Sequence, residues 1–257
     1  MSLDAFRIRT VIRKELRDYR RNRFIFVSMS IYPVIFVGAP IANIFALPAS
    51  LSSTMLDRRL GLVLLFMLLI PVVVPAAVAA YSVVGEREQG TLEPLLTTPI
   101  SREELLIGKA AAVMIPSVAI SYVAFGIVLA CVQLFAHANV AAAIFDQHAV
   151  LIAQAVFTPL LAGWAIWIGI AISVRSSDVR SAQQLAILAS LPPFAVAALM
   201  SFQVIKPTLA IAVGIGLGLL AIDSLAWRLV AALFDRERLI TGRASTRMDA
   251  RTPRSRR

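Results

Sequence analysis

The sequence has little of what most enzymes and secreted domains depend on. It contains one cysteine, Cys131, and two histidines among 257 residues, and only 16% of its residues are charged. A single cysteine excludes a disulfide framework within the chain. No polar stretch between the apolar runs is long enough to form a soluble domain. We therefore expect neither a disulfide-stabilised domain nor a globular catalytic domain.

Short motifs of nucleotide and peptide chemistry are also absent. The sequence has no GxxxxGK[ST], no HExxH and no GxSxG, which argues against a P-loop, a zinc protease helix and a serine hydrolase elbow. His137, Asp146 and His148 share one short stretch between apolar runs, but their spacing fits no metal signature, so solvated side chains are favoured over a metal site. We predict a chain that is not an enzyme, has no catalytic residues and binds no cofactor itself.

Long apolar runs dominate what remains. The composition is 59% hydrophobic with a mean hydropathy of +0.80, far above that of soluble domains. Runs of about 20 residues or more cross a bilayer as helices. We predict an all-α, polytopic membrane protein with six transmembrane helices within residues 24–234, at 24–47, 60–84, 110–135, 149–174, 184–205 and 208–227.

Several residues within these spans invite a functional interpretation. Pro71 and Pro75, like Pro192 and Pro193, are consistent with packing kinks or with helices that bend during transport. Gly214 and Gly218 have the spacing of a close-packing face. Asp223 is the acidic residue well inside a span, and we favour a structural contact over a proton relay.

Lysine and arginine indicate the orientation. Residues 1–23 and 235–257 carry eight each, whereas the stretches 47–59 and 205–208 carry only Arg58, Arg59 and Lys206. The positive-inside rule then places both termini and residues 85–109 in the cytoplasm. The net charge of +10 therefore arises from lysine and arginine that face the cytoplasmic membrane surface, where they attract anionic lipid. We expect no nucleic-acid partner. Residues 1–23 read as an amphipathic interfacial helix, with Glu15 unexpectedly on its apolar face, and 235–257 as a basic tail.

Residues 85–109 form the most informative polar stretch. Gly90 breaks a helix that leaves the second span, and Thr91 can cap a short helix that ends before Pro99. Its apolar face comprises Leu92, Leu95 and Leu96, and so short a helix needs a packing partner. Ser101 and Glu104 have the spacing of a capping box, and Ile100 and Leu105 that of a hydrophobic staple.

The same stretch resembles the permease subunits of ABC exporters of the ABC-2 type. In that family the loop between the second and third spans reads like E-R-E-x-G-T-x-E-x-L-L-x-x-P-[IV]-S-R-x-E-L-L-x-G-K. The chain matches it at Glu86, Arg87, Glu88, Gly90, Thr91, Glu93, Leu95, Leu96, Pro99, Ile100, Ser101, Arg102, Glu104, Leu105, Leu106, Gly108 and Lys109.

The resemblance implies an ATP-driven exporter in a bacterial or archaeal plasma membrane. Two permease copies, identical or paralogous, would pair with two separate ABC ATPase subunits that hold ATP and Mg. The short helix would be a cytoplasmic coupling helix that docks on the ATPase. The implied coupling residues are Glu86, Gly90, Thr91, Leu92, Leu95, Leu96 and Pro99, with Glu15. The alternative is a standalone six-span secondary carrier or a membrane assembly factor, which needs no ATPase.

Overall fold

The protein is helical throughout the part that the computed structural model describes, which is residues 3–46, 53–91, 98, 100–201 and 209–233. No strand occurs in these ranges. The helices are α1 (Ala5–Arg21), α2 (Arg23–Phe45), α3 (Ser53–Met67), α4 (Ile70–Glu88), α5 (Arg102–Phe135), α6 (Ala138–Asp146), α7 (His148–Arg175), α8 (Val179–Ser190), α9 (Pro192–Ser201) and α10 (Leu209–Leu233).

Six helical segments are long and apolar enough to cross a membrane, which confirms the predicted class. They are Ile25–Phe45, Arg59–Glu88, Arg102–Phe135, Leu151–Arg175, Val179–Leu199 and Ala210–Ala231. The second of these spans comprises α3 and α4, and the fifth comprises α8 and α9. The basic tail at 235–257 lies outside the described residues.

The second span differs from the continuous kinked helix that the sequence suggested. The helix stops at Met67, and α4 begins at Ile70 after a turn at Leu68 and Leu69. Pro71 lies in the first turn of α4, where its missing N–H costs no intrahelical hydrogen bond. Pro71 therefore starts a helix, whereas Pro75 lies inside one.

Three stretches that lie between the predicted spans contain helix. Residues 53–59 form the first turns of α3, residues 138–146 form α6, and residues 179–183 begin α8. In α6, Val140 and Ile144 are buried four residues apart, so an apolar face stabilises the helix. At α8, the Asp178 side chain accepts a hydrogen bond from Ser181 N at 2.8 Å and caps the helix.

The α4 helix is the centre of the bundle. Sixteen of its nineteen residues are buried, and it packs most extensively against α7 and α8. Gly169 of α7 permits this contact, because a Cβ there would lie 2.7 Å from Ala79 Cβ and 3.0 Å from Ala76 O. The two backbones therefore touch, as small residues allow between membrane helices.

The predicted close-packing glycines of the sixth span behave differently. A Cβ on Gly214 or Gly218 would meet nothing within 4 Å, whereas one on Gly216 would lie 4.0 Å from Leu160 and Phe157 of α7. The expectation that the Gly214 and Gly218 face packs closely was wrong for the described residues of this chain. The helix turns Gly216 to α7 instead, since Ile215 and Leu219 pack with Leu161 on that side.

Candidate functional site

Four charged side chains from three helices meet at one end of the bundle. We call Lys14, Glu15, Glu86 and Lys109 the charged cluster. Lys109 Nζ lies 3.0 Å from Glu15 Oε1 and 2.9 Å from Glu86 Oε1. Lys14 Nζ lies 3.1 Å from Glu15 Oε1 and 2.7 Å from Glu86 Oε1. The cluster has two positive and two negative groups, so its charges balance.

Lys109 is the most enclosed member of the cluster. Its side chain is 0% exposed, although it follows directly on the polar stretch before the third span. Its ammonium group also donates a hydrogen bond to Ser82 O at 2.9 Å. Two carboxylates and one carbonyl thus surround the ammonium group, as a buried charge requires.

The packing of α1 brings Glu15 to this position. Val11, Glu15 and Tyr19 are the buried residues of α1, and they share one helix face at spacings of four. Gly108 of α5 lets that face approach, because a Cβ there would lie 2.6 Å from Val11 Cγ1. The unexpected glutamate on the apolar face of α1 is therefore an internal ion-pair residue.

The ion pairs control protonation on α1. Burial would raise the pKa of Glu15, but Lys109 and Lys14 outweigh burial and hold that pKa below its ordinary value. Burial would likewise lower the pKa of Lys14, but Glu15 and Glu86 raise it above the ordinary value. Burial, with the nearby Glu15 and Glu86 carboxylates, raises the pKa of Tyr19. Glu15 and Lys14 are thus both charged at neutral pH, while the Tyr19 phenol is neutral.

The chain leaves α4 through a well-formed C-terminal cap. Gly90 has a φ of 68°, which is the left-handed conformation that favours glycine. Gly90 N donates to Arg87 O at 3.1 Å, and Thr91 N donates to Glu86 O at 2.9 Å. These two bonds are the Schellman pattern. The Thr91 hydroxyl donates back to Glu86 O at 3.3 Å, so Thr91 closes α4.

The chain enters α5 through the predicted capping box, which is confirmed. The Ser101 side chain accepts from Glu104 N at 3.1 Å, and Glu104 Oε2 accepts from Ser101 N at 2.8 Å. Glu104 Oε1 also accepts from Asp4 N at 2.9 Å, which ties the start of α1 to the start of α5. Ile100 and Leu105 belong to one apolar cluster, as the predicted staple requires.

The other side of the α4 end is bonded to the connection between α7 and α8. Arg87 donates from one guanidinium nitrogen to Ser176 O at 2.9 Å and from the other to Val174 O at 3.2 Å. Glu88 Oε1 accepts from Val179 N at 3.0 Å. We call these three bonds the Arg87–Glu88 bridge. The final turn of α4 therefore contacts both the end of α7 and the start of α8.

Four of the eight predicted coupling residues are among the described residues, and these four form two groups. Glu15 and Glu86 lie in the charged cluster, and Gly90 and Thr91 form the cap of α4. The predicted short helix with Leu92, Leu95, Leu96 and Pro99 lies outside the described residues, and its leucine face stays a prediction.

The sequence reasoning missed Lys14 and Lys109 as members of the site. A signal existed for both lysines. Glu15 lies on the apolar face of the N-terminal helix, and Lys109 lies at the start of an apolar span. Buried charges of opposite sign require each other.

The other candidates stay apart from this site. Asp223 packs against α7, where a Cβ on Gly163 would lie 2.5 Å from Asp223 Oδ2, and Oδ1 has no hydrogen-bond partner among the described residues. His137 precedes α6 and Asp146 ends it, about 13 Å apart at 1.5 Å per residue. No group of three potential metal-ligating residues occurs in the described ranges.

Fold and site together define a multi-pass membrane protein whose buried charges and helix-end bonds concentrate at one end of the bundle. The chain belongs to the family described as "ABC-2 family transporter protein", whose sequence profile matches residues 9–231. It is also similar to the "Probable ABC transporter permease protein NosY" of Pseudomonas aeruginosa, with 35% identity over 109 residues. That match covers 39% of this chain and 36% of the relative, so it spans about a third of the relative's length. The chain is thus a multi-pass membrane protein of the ABC-2 transporter family.

Proposed function

We propose that the chain forms the translocation path of an ATP-driven exporter and is driven by a separate ABC ATPase through the segment between α4 and α5. ATP and Mg would bind to that ATPase, and two copies of each subunit would assemble. Membership in the ABC-2 family supports the ATPase as partner. The similarity to a named ABC transporter permease supports the same role.

The observation that carries the coupling role is that this segment is anchored at both ends. Before it, the Gly90 cap closes α4 one turn after Glu86. After it, the capping box opens α5 one to two turns before Lys109. Glu86 and Lys109 are paired to each other at 2.9 Å. A force applied to the segment would therefore be transmitted to the end of α4 and the start of α5 together.

The charged cluster suggests how the N-terminal helix takes part. Glu15 connects α1 to Lys109, and Glu104 connects the start of α1 to the start of α5. Breaking one buried partner of such a group leaves an uncompensated charge, which costs about 3–5 kcal/mol. The proposed consequence is that α1, the end of α4 and the start of α5 move as one unit when the ATPase closes.

Substitution of the leucine face tests the docking role directly. Leu95→Asp should weaken association with the cognate ATPase at least about tenfold, because loss of about 1.4 kcal/mol of apolar contact is a factor of ten. Membrane insertion should survive, since the residue lies outside every apolar span. Association is measured by pull-down of the ATPase from membranes that contain equal amounts of each variant.

Glu93→Gln is the matched control, because it changes the same short segment without removing an apolar side chain. It should retain nearly full association. If Leu95→Asp binds the ATPase as well as the wild type does, the segment is not the docking element. If no ATPase encoded with this chain binds the wild type, the result supports the alternative function, a standalone carrier or a membrane assembly factor.

A labelling experiment tests the orientation that coupling needs. In a Cys131→Ser background, a cysteine at Ala138 should react with an impermeant thiol reagent outside intact cells, and a cysteine at Gln89 should not. Both positions are exposed in the structure, so neither result reflects burial within this chain. Labelling of Gln89→Cys alone would reverse the orientation and remove the proposed contact with a cytoplasmic ATPase.

A further inference from the structure

We propose that the Arg87–Glu88 bridge transmits movement of the coupling segment to the connection between α7 and α8, and through α8 to the break in the fifth span. This inference rests on the proposed function, since it names the route by which the ATPase-driven segment would act on a distant helix. Arg87 and Glu88 act as positioning residues in it, because they contact helix ends and no transported molecule.

Arg87 donates to backbone carbonyls at the C-terminal end of α7, where carbonyls lack intrahelical hydrogen-bond donors. The last four carbonyls of an α-helix lack intrahelical donors, and Val174 belongs to the final turn of α7 while Ser176 is its C-cap. The guanidinium group reaches both carbonyls at once, at 3.2 Å and 2.9 Å. A positive charge at a helix C-terminus also interacts favourably with the helix dipole.

Glu88 binds a backbone N–H at the N-terminal end of α8, the next helix along the chain. Its carboxylate accepts from the N–H of Val179, the first residue of α8, where N–H groups lack intrahelical acceptors and negative charge is favoured. Only Ser176, Ser177 and Asp178 separate the two helices. Adjacent residues of α4 therefore hold opposite ends of two helices across a three-residue connection.

Buried contacts behind the bridge make it stiff. Ser173 Oγ of α7 accepts from Val83 N and Val84 N of α4, each at 3.0 Å. Gln183 of α8 donates to Ala77 O of α4 at 3.0 Å. These bonds join the same three helices, and the buried alanines and valines of α4 and α8 pack between them. The end of α4 cannot shift without carrying the α7–α8 connection.

The far end of α8 offers a place for such movement to act. The helix has twelve residues and ends at Ser190, and α9 begins at Pro192. At 1.5 Å per residue, α8 spans about 18 Å. Because proline cannot continue the backbone hydrogen bonds of α8, the α8–α9 break can change angle without loss of a helical bond. A rotation of α8 at the bridge would thus appear as a changed angle within the fifth span.

Hydrogen–deuterium exchange of the assembled complex tests the route without knowledge of the cargo. The full chain with its ATPase is compared without nucleotide and with ATP and vanadate. In the wild type, amide exchange in residues 176–191 should change with nucleotide. In Arg87→Ala/Glu88→Ala this change should be lost, while exchange near the α4–α5 segment still responds and the ATPase still binds in the pull-down.

Two control variants separate transmission from general damage. Glu88→Gln keeps an acceptor oxygen for Val179 N and should retain the nucleotide-dependent change. Arg180→Ala removes an exposed arginine from the first turn of α8 and should also retain it. Loss in either control would mean that any lesion in this region suffices, which overturns the specific role of the bridge.

The remaining outcomes are also decisive. If the double variant binds the ATPase and keeps the wild-type change in residues 176–191, the bridge does not transmit movement, and the proposed function stands without it. If the wild-type complex forms but shows no nucleotide-dependent change in these residues, the route is wrong. If no ATPase binds the wild type, the failure lies in the proposed function itself.

Discussion

Helices α4 and α10 are both apolar enough to cross a membrane, yet only one of them is buried in the chain. In the most apolar window of the span that contains α4, 78% of residues are buried, against 6% in the window of α10. The glycines show the same contrast. Gly169 brings α7 onto the backbone of α4, whereas Gly214 and Gly218 of α10 face open space.

The difference shows that hydropathy reports the ability to enter a membrane rather than the depth of packing. Lipid is as apolar as a leucine side chain, so close packing and polar bonds decide which helices associate. The α4 backbone accepts hydrogen bonds from Lys109 and Gln183 and donates two to Ser173 Oγ. Helix α10 offers an apolar surface instead, consistent with lipid or the second permease copy of the proposed assembly.

The largest expected effect comes from breaking the charged cluster that supports α4. Lys109→Met leaves Glu15 and Glu86 without their buried partner, and loss of one member of a buried pair costs about 3–5 kcal/mol. We expect the variant to be strongly destabilised, with a lower thermal midpoint for the monodisperse protein in detergent.

Lys14→Met is the matched control for that prediction. Lys14 contacts the same two carboxylates at 3.1 Å and 2.7 Å, but its side chain is 42% exposed. Water screens such a pair, so about 1 kcal/mol or less should be lost. Equal losses in the two variants would mean that burial does not decide the strength of the cluster.

A smaller effect should follow from overpacking the α4–α7 contact. Gly169→Ala puts a methyl group within 3.1 Å of Ala80 N and closer still to Ala76 O, and relief of such a clash costs about 1–3 kcal/mol. We expect a measurable fall in the thermal midpoint of the purified protein, although alanine favours helix more than glycine does.

Gly126→Ala in α5 is the control for helix propensity. A Cβ at Gly126 would meet nothing within 4 Å, so the exchange should be neutral or slightly stabilising. An equal fall in the thermal midpoint of both variants would contradict the explanation by close approach. Of these two glycines, only Gly169 lies close to another helix backbone.

The smallest effect is expected at the open face of α10. Gly218→Ala should leave the stability of the single chain within about 0.5 kcal/mol, since surface changes away from special features are usually within that range. The informative measurement is the oligomeric state in mild detergent beside the thermal midpoint. A large loss of stability in the monomeric protein would show that α10 packs within the chain after all.

Local rules predicted the elements that depend on neighbours in sequence. The capping box at Ser101 and Glu104 is confirmed, and so is the helix break at Gly90. Each depends on residues within a few positions of one another. The first turns of α3 at 53–59 and the helix at 138–146 were missed because each stretch is short, and burial of Leu56, Val140 and Ile144 against other helices stabilises them.

The sequence by itself determined the class of protein, six apolar spans and the ends of α4 and α5, because hydropathy and capping act over short distances. The tertiary structure alone decided that Glu15 and Lys109, 94 positions apart, form a buried ion pair in which Lys109 donates to Glu15, and that Arg87 and Glu88 hold the ends of two other helices. The physical reason is that a buried charge or an open helix end must find a partner, while its own sequence neighbourhood does not specify which one.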